Sequence, residues 1–302
     1  MSNRKLKIQD LSIVCKAADS EQVNDKVQFG VKSFEIQILD ANFDTEKIKK
    51  IFSDVDVVSV HSPVIYHDSG NWDELLISDL NESRTLDTFV RTCNLAQELA
   101  FEKKHRVVVV VHCDLSLSEL TKFKLDFILK AFCHALDSFP DVEIGLENIS
   151  PIRGNPMRFD NGWYMGPAEI AEYCNGLFNT DRIGSVLDIC HMEMAQFLLD
   201  RYKDSEIYSL LANYNTEKYL EKYSATLKII HLNEAVLDGY GSRHGVVASE
   251  DVIHRILKFF METNKKFPHL CIEVKEKDYT KGINTRKTFE NIKRVIASYD
   301  NG

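Results

Sequence analysis

No stretch of about 20 consecutive apolar residues occurs in this chain, so no membrane-spanning helix is expected. The opening MSNRKLKIQD lacks the apolar core of a secretory signal. There is no CxxC pair, and the seven cysteines stand singly in strand-like or helix-like runs. An odd number of scattered thiols argues against a complete disulfide framework and points to a reducing, cytoplasmic setting. Basic charge is also short. With 37 Lys and Arg against 46 Asp and Glu, the net charge of −9 disfavours unspecific binding to nucleic acid or an anionic membrane, while leaving a local basic cleft open. No linker, low-complexity segment or block of like charge divides the chain. What remains is 302 residues with 44% apolar content, enough for a sizeable core in one large domain or two small ones.

What the chain does have is a rhythm. Six β-branched runs each end on a residue that can bind a divalent ion. They are VVSVHSP with His61, VVVVVHC with His112, VEIGLENIS with Glu147, IGSVLDICH with Asp188, LKIIHLNE with His231 and LCIEVKE with Glu273. Successive donors are separated by about 35 to 51 residues, close to one strand plus one helix. Two earlier runs, LKIQDLSIVC (6–15) and SFEIQIL (33–39), bring the strands to eight. Short β-branched runs bounded by turn residues suit buried parallel strands. Between them, TEKIKKIF, DLNESRTLDTFVRTCNLAQELAFEKK, SELTKFKLDFILKAFCHALDSF, GPAEIAEYCNGLF, SEDVIHRILKFFMETNKK and NTRKTFENIKRVIASY repeat apolar residues at helical spacing. SLSEL and ASEDV read as helix starts, a Ser preceding an acidic first turn.

Strand and helix alternating over eight units imply a parallel sheet, closed most simply as a single (β/α)8 TIM barrel over 1–302. An open doubly wound sheet is the alternative. Two insertions, near 149–166 and 233–249, follow the fifth and seventh strands and belong on the C-terminal face, where barrel enzymes build their sites.

Glu147, Asp188, His231 and Glu273 then form an oxygen-rich, anionic cage suited to Mn²⁺, Mg²⁺ or Zn²⁺. Such carboxylates repel one another unless a cation joins them. His61 and His112 end the neighbouring strands and could share Glu147 with a second ion, or serve as substrate hydrogen-bonders or inner-layer histidines. His191, three residues after Asp188, and His244, on a Gly-rich loop, could hold a third ion or substrate. His105 and His269 precede strands and belong on the opposite face; His134 and His254 fall in helices, and His67 in a loop outside the site.

The set VHSPV, VVVHC, GLENIS, LDICHM, HLNEA, GSRH and IEVKE resembles the xylose-isomerase-like barrel superfamily, over most of the chain from the second strand to the eighth. That superfamily includes the sugar and sugar-phosphate isomerases and epimerases and endonuclease IV, of AP endonuclease family 2. The isomerase branch implies one divalent ion, Mn²⁺ or Zn²⁺, held by Glu147, Asp188, His231 and Glu273, with proton transfer through a metal-bound enediolate. Glu147 and Glu273 would be the acid and base, His191 would hold a substrate oxygen, and Arg243 would neutralise charge or bind phosphate, unless it is merely a solvated loop residue. Arg153 and Trp163 would form a sugar or phosphate lid, or Trp163, Tyr164 and Met165 a small core beneath the loop. The partner would be a small sugar or sugar phosphate.

The nuclease branch implies up to three zinc ions and abasic DNA. His61, His112 and Glu147 would hold one ion, the four-residue cage the second, and His191 with His244 the third. Ser242 stands where that branch carries the third ion's Asp, and Asp238 is the nearby substitute. The isomerase or epimerase is the primary expectation, with the nuclease-type phosphoesterase and a non-catalytic binding barrel as alternatives. The resemblance also allows a homodimer.

Overall fold

The structure, a computed structural model, describes residues 6–63, 75–123, 125–149, 166–201, 215–238 and 241–300, with backbone alone for 198–201, 237–238, 241–244 and 300. Strand and helix alternate as the sequence rhythm requires. β1 (Ile13–Ala17), β2 (Ser33–Gln37), β3 (Asp56–His61), β4 (Val107–Cys113), β5 (Val142–Asn148), β6 (Ile183–Asp188) and β7 (Leu227–Leu232) lie side by side. A hairpin of β8 (Glu234–Asp238) and β9 (Gly241–Val246) follows, and β10 (His269–Ile272) closes the ring between β7 and β1. All eight barrel contacts are parallel. The barrel is therefore closed, and the open doubly wound alternative is excluded.

Helices fill the crossings: α1 (Ser20–Gln28), α2 (Thr45–Ile51), α3 (Ser83–Lys103), α4 (Leu117–Lys122), α5 (Asp126–Ser138), α6 (Gly166–Phe178), α7 (Ile189–Arg201), α8 (Thr216–Tyr223), α9 (Glu250–Thr263) and α10 (Ile283–Asp300). In α9, Val252, Ile253, Ile256, Leu257 and Phe260 recur at three-to-four spacing and are all buried. Each contributes roughly 1.5–3 kcal/mol of transfer free energy. Ser249 starts that helix by accepting from Val252 N, and Ser116 starts α4 in a capping box with Glu119, as SLSEL and ASEDV foretell.

Two layers of core result. The larger packs helices on the outer faces of the strands. A separate small cluster of Val14, Val58, Val108, Val110, Val186, Ile229 and Cys271 fills the barrel and forms a floor. Along β4 the two-residue alternation carries Val108 and Val110 up to His112; along β6 it carries Val186 to Asp188, and along β7 Ile229 to His231. Gly145 on β5 keeps that floor packed, because a Cβ there would meet Val108 and Val186 methyls at 2.8 Å.

The structure differs from the sequence expectation at several elements. Residues 6–15 are not one strand: a 3-10 turn, Ile8–Asp10, precedes β1, and Asp10 accepts from the Lys7 amide. The second strand stops at Gln37. The stretch 118–139 is two helices, because Leu125 (ψ 55°) leaves the helical region and its amide reaches back to the Leu120 carbonyl. The segment 233–249 is largely the β8–β9 hairpin rather than an open loop. α1 and α8 carry polar sequences that hide their helical period.

His105 and His269 lie at the N-terminal ends of strands, bonded to Asp56 and Ser12, and His134 and His254 lie in α5 and α9, as expected. All seven cysteines are unpaired. Among the described residues no helix is long and apolar enough to cross a membrane.

Candidate metal centre

Register brings the strand-end donors to one level. His112 pairs with Glu147 across β4–β5, and Asp188 with His231 across β6–β7. Two groups of donors result, each with its ligand atoms within 4.8 Å of one another: His61, His112 and Glu147; and Glu147, Asp188, His231 and Glu273. Glu147 belongs to both, and its two oxygens divide between them. Oε2 lies 3.0 Å from His61 Nε2 and 3.6 Å from His112 Nε2. Oε1 lies 3.2 Å from His231 Nδ1. Tetrahedral donors at 2.0–2.1 Å bond lengths sit about 3.4 Å apart, so both groups are near coordination spacing.

The ring orientations are fixed by groups behind them. His61 Nδ1 lies 2.8 Å from the Ser62 carbonyl, which can only accept. That nitrogen donates to the carbonyl, so Nε2, hydrogen-bonded to Glu147 Oε2 at 3.0 Å, is the one that faces the donor group. His191 Nδ1 is likewise 2.8 Å from the Asn148 carbonyl. Asp188 is held from both sides, accepting from the His191 amide at 2.7 Å and from Asn233 Nδ2 at 2.9 Å. Asn148 clamps its backbone through two further bonds.

His231 sits between carboxylates. Nδ1 is 2.8 Å from Glu273 Oε2 and 3.9 Å from Asp188 Oδ2, while Nε2 is 3.1 Å from Glu35 Oε1. Burial favours the neutral ring, but Glu35, Glu147 and Glu273 outweigh it and hold the imidazole protonated well above its ordinary pKa. Burial would raise the Glu147 carboxyl; His231 with His61 and His112 instead holds it well below the usual range. Glu273 is likewise depressed, against burial, by Lys16 and His231.

Three carboxylates around one imidazole, with His231 Nδ1 and Glu273 Oε2 buried and 2.8 Å apart but not aligned for a good hydrogen bond, fit a divalent cation replacing a proton. The donor set, carboxylate-rich in one group and two imidazoles in the other, admits Zn²⁺ or Mn²⁺.

The structure thus brings together His61, His112, Glu147, Asp188, His231 and Glu273, with His191 Nδ1 3.7 Å from both Glu147 Oε1 and Asp188 Oδ1. Ser242, Arg243 and His244 lie on β9, whose backbone pairs Val236 with Arg243, but their side chains and that of Asp238 fall outside the described residues. Arg153, Trp163, Tyr164, Met165 and His67 also lie outside them. Two residues that sequence reasoning overlooked join the site: Lys16 on β1, 2.7 Å from Glu273, and Glu35 on β2, behind His231. Both carried a signal, a charged residue inside an otherwise buried strand.

A closed ring of eight parallel strands with helices in the crossings is the (β/α)8 TIM barrel. Solved structures share it. A zinc-bound IOLI protein aligns over 95% of this chain and 99% of its own, at 12% identity and a TM-score of 0.60. D-allulose 3-epimerase from Methylomonas sp. aligns over 94% and 98%, at 12% identity and 0.58. Endonuclease IV from Thermus thermophilus aligns over 94% and 99%, at 14% identity and 0.54. At such identities the likeness shows the fold alone. No family model matches the chain, and no curated protein matches it.

Proposed function

We propose that the chain is a metal-dependent hydrolase of phosphoesters that uses two divalent ions joined by Glu147. One observation carries this reading: the two Glu147 oxygens face two separate donor groups, His61 with His112 and Asp188 with His231 and Glu273. An isomerase cage needs only the second group. The fold is shared with an endonuclease IV and with a zinc-bound IOLI protein, which supports a divalent ion at this end of the barrel.

Ions in these groups would supply a nucleophilic water at neutral pH and neutralise charge on a phosphoryl group. The chain's own contribution is placement. His61 presents Nε2 because Ser62 holds its other nitrogen, Asp188 is fixed by Asn148 and Asn233, and Lys16 offsets part of the carboxylate charge. These buried and hydrogen-bonded groups pre-arrange the site so that little rearrangement accompanies reaction.

A second reading, metal-dependent sugar or sugar-phosphate isomerase or epimerase, has its own support. Glu147 and Glu273 flank His231 Nδ1 at 3.2 and 2.8 Å, the disposition of an acid–base pair, and the fold is shared with an allulose epimerase. Zn²⁺- or Mn²⁺-loaded protein should hydrolyse bis(4-nitrophenyl) phosphate or nick an abasic-site duplex, and Glu147→Gln should not. Solvent-proton exchange into a ketose or ketose phosphate, with neither ester cleaved, would replace the first reading by the second.

A further inference from the structure

β1 and β2 contribute no member of the two donor groups described above, yet each turns a charged side chain into the site. Glu35 is fully buried, and the Lys16 side chain is 11% exposed. Burying a charge costs several kcal/mol unless partners compensate, and the floor below Lys16 is apolar or weakly polar, with Val14 two residues before it on β1 and Cys271 beside Val14 on β10. A barrel that needed only packing would carry such residues here too.

The contacts explain the charges. Glu35 Oε2 accepts from Ser59 Oγ at 2.7 Å, which pins the carboxylate. His231 Nε2 is hydrogen-bonded to Glu35 Oε2 at 3.3 Å and lies 3.1 Å from Oε1. An imidazole whose Nε2–H is committed to a carboxylate has only Nδ1 left for an ion, and Nδ1 is the nitrogen that faces Glu147, Asp188 and Glu273. Lys16 Nζ donates to Glu273 Oε1 at 2.7 Å, so one oxygen of that carboxylate is held back while Oε2 faces His231 Nδ1. Lys16 also stands 3.5 Å from Glu35 Oε1 and balances the pair.

We propose that Glu35 and Lys16 are positioning residues for the cage: Glu35 selects the His231 nitrogen that meets the ion, and Lys16 limits Glu273 to one inward oxygen. This rests on the ion-binding reading above. A rival use exists on the same residues, since Glu35, His231 and Cys271 also form a three-donor group. The Lys16 ammonium already provides the cation beside Glu35, and Cys271 is packed among the valines and Ile229 of the floor, so orientation is the role the geometry favours.

Co²⁺ titration of the full chain, followed by its visible absorption and by competition with a chelating dye, tests this. Glu35→Ala should weaken Co²⁺ binding by about 10- to 100-fold and alter the band shape. Glu35→Gln, which keeps an oxygen to accept from Nε2–H, should recover both in part. Lys16→Met should weaken binding with the His231-dependent features retained. Should Glu35→Ala not fold, Ser59→Ala decides, with a smaller loss in the same direction expected.

Unchanged Co²⁺ affinity and spectrum in folded Glu35→Ala, or in Ser59→Ala, overturns the assignment while leaving the cage intact. A loss that Glu35→Gln does not recover, or a fall in stoichiometry on Cys271→Ser, overturns it in favour of a ligand role for Glu35. No Co²⁺ uptake by the unaltered protein overturns both the assignment and the ion reading beneath it.

Discussion

Replacing Glu147 by Gln preserves shape and one oxygen while removing the charge shared by both donor groups. Its effect can be sized through thermal stability. An ion that binds only the folded chain, supplied at about 100 times its Kd, stabilises by about 2.7 kcal/mol. Two independent ions give about 5.4 kcal/mol. With 302 residues and an unfolding entropy of about 2.1 cal/mol/K per residue, each kcal/mol corresponds to about 1.6 °C in Tm. The unaltered protein, stripped with chelator and then saturated with Zn²⁺ or Mn²⁺, should therefore gain about 8–9 °C.

Because Glu147 Oε1 serves the His231 side and Oε2 the His61 side, Glu147→Gln should lose most of that gain, leaving less than about 2 °C. His61→Ala and Asp188→Asn should each forfeit only one ion and keep about 4 °C. Differential scanning fluorimetry, with circular dichroism to verify folding, reads all three. A full gain in Glu147→Gln, or a full gain in His61→Ala, would refute a carboxylate shared between two ions.

Further outcomes follow from the same geometry. His231 is held protonated well above the ordinary value of about 6.5, so in chelator-treated protein its charged ring contributes stability that is complete below that pH and is lost as pH rises through the folded pKa. An ion replaces that proton, so the metal-dependent gain in Tm should grow between about pH 6 and pH 9; a gain that shrinks over that range contradicts the assignment. Glu193, with its carboxyl raised to about 7 mainly by burial, favours folding fully below the unfolded pKa and loses that contribution as pH climbs through about 7. Glu193→Gln should accordingly stabilise the protein at pH 8 by on the order of 1–2 kcal/mol, after discount for partial exposure, and flatten its stability between about pH 5 and 8 in urea titrations. Gly145→Ala forces a methyl against Val108 and Val186 and should cost about 1–3 kcal/mol in the same assay; an unchanged midpoint would show that the floor can yield.

The barrel was legible because its strands are buried on both faces, so that runs such as VVVVV and IGSVL admit little else, and because each run ends where side chains leave the floor for the mouth. That geometry put His112 beside Glu147 and Asp188 beside His231, as the spacing implied. Lys16 and Glu35 are not legible as site residues from the first two runs, because a charge within a strand identifies neither its partner nor its purpose. The break between α4 and α5 was hidden by an apolar period that continues across it. The hairpin of β8 and β9 was hidden by a sequence rich in turn residues, GYGSRHG, that reads equally well as open loop. Ring orientations, which decide which nitrogen meets an ion, depend on Ser62, Asn148 and Glu35, contacts that span up to 196 positions and leave no local trace.

The central claim is that Glu147 joins two ion sites. Elemental analysis of the purified chain, equilibrated with Zn²⁺ and freed of loosely held metal, measures it directly. The account predicts two ions per chain, falling to one in His61→Ala. One ion in the unaltered protein, unchanged by His61→Ala, would contradict it and leave the four-residue cage as the whole of the centre.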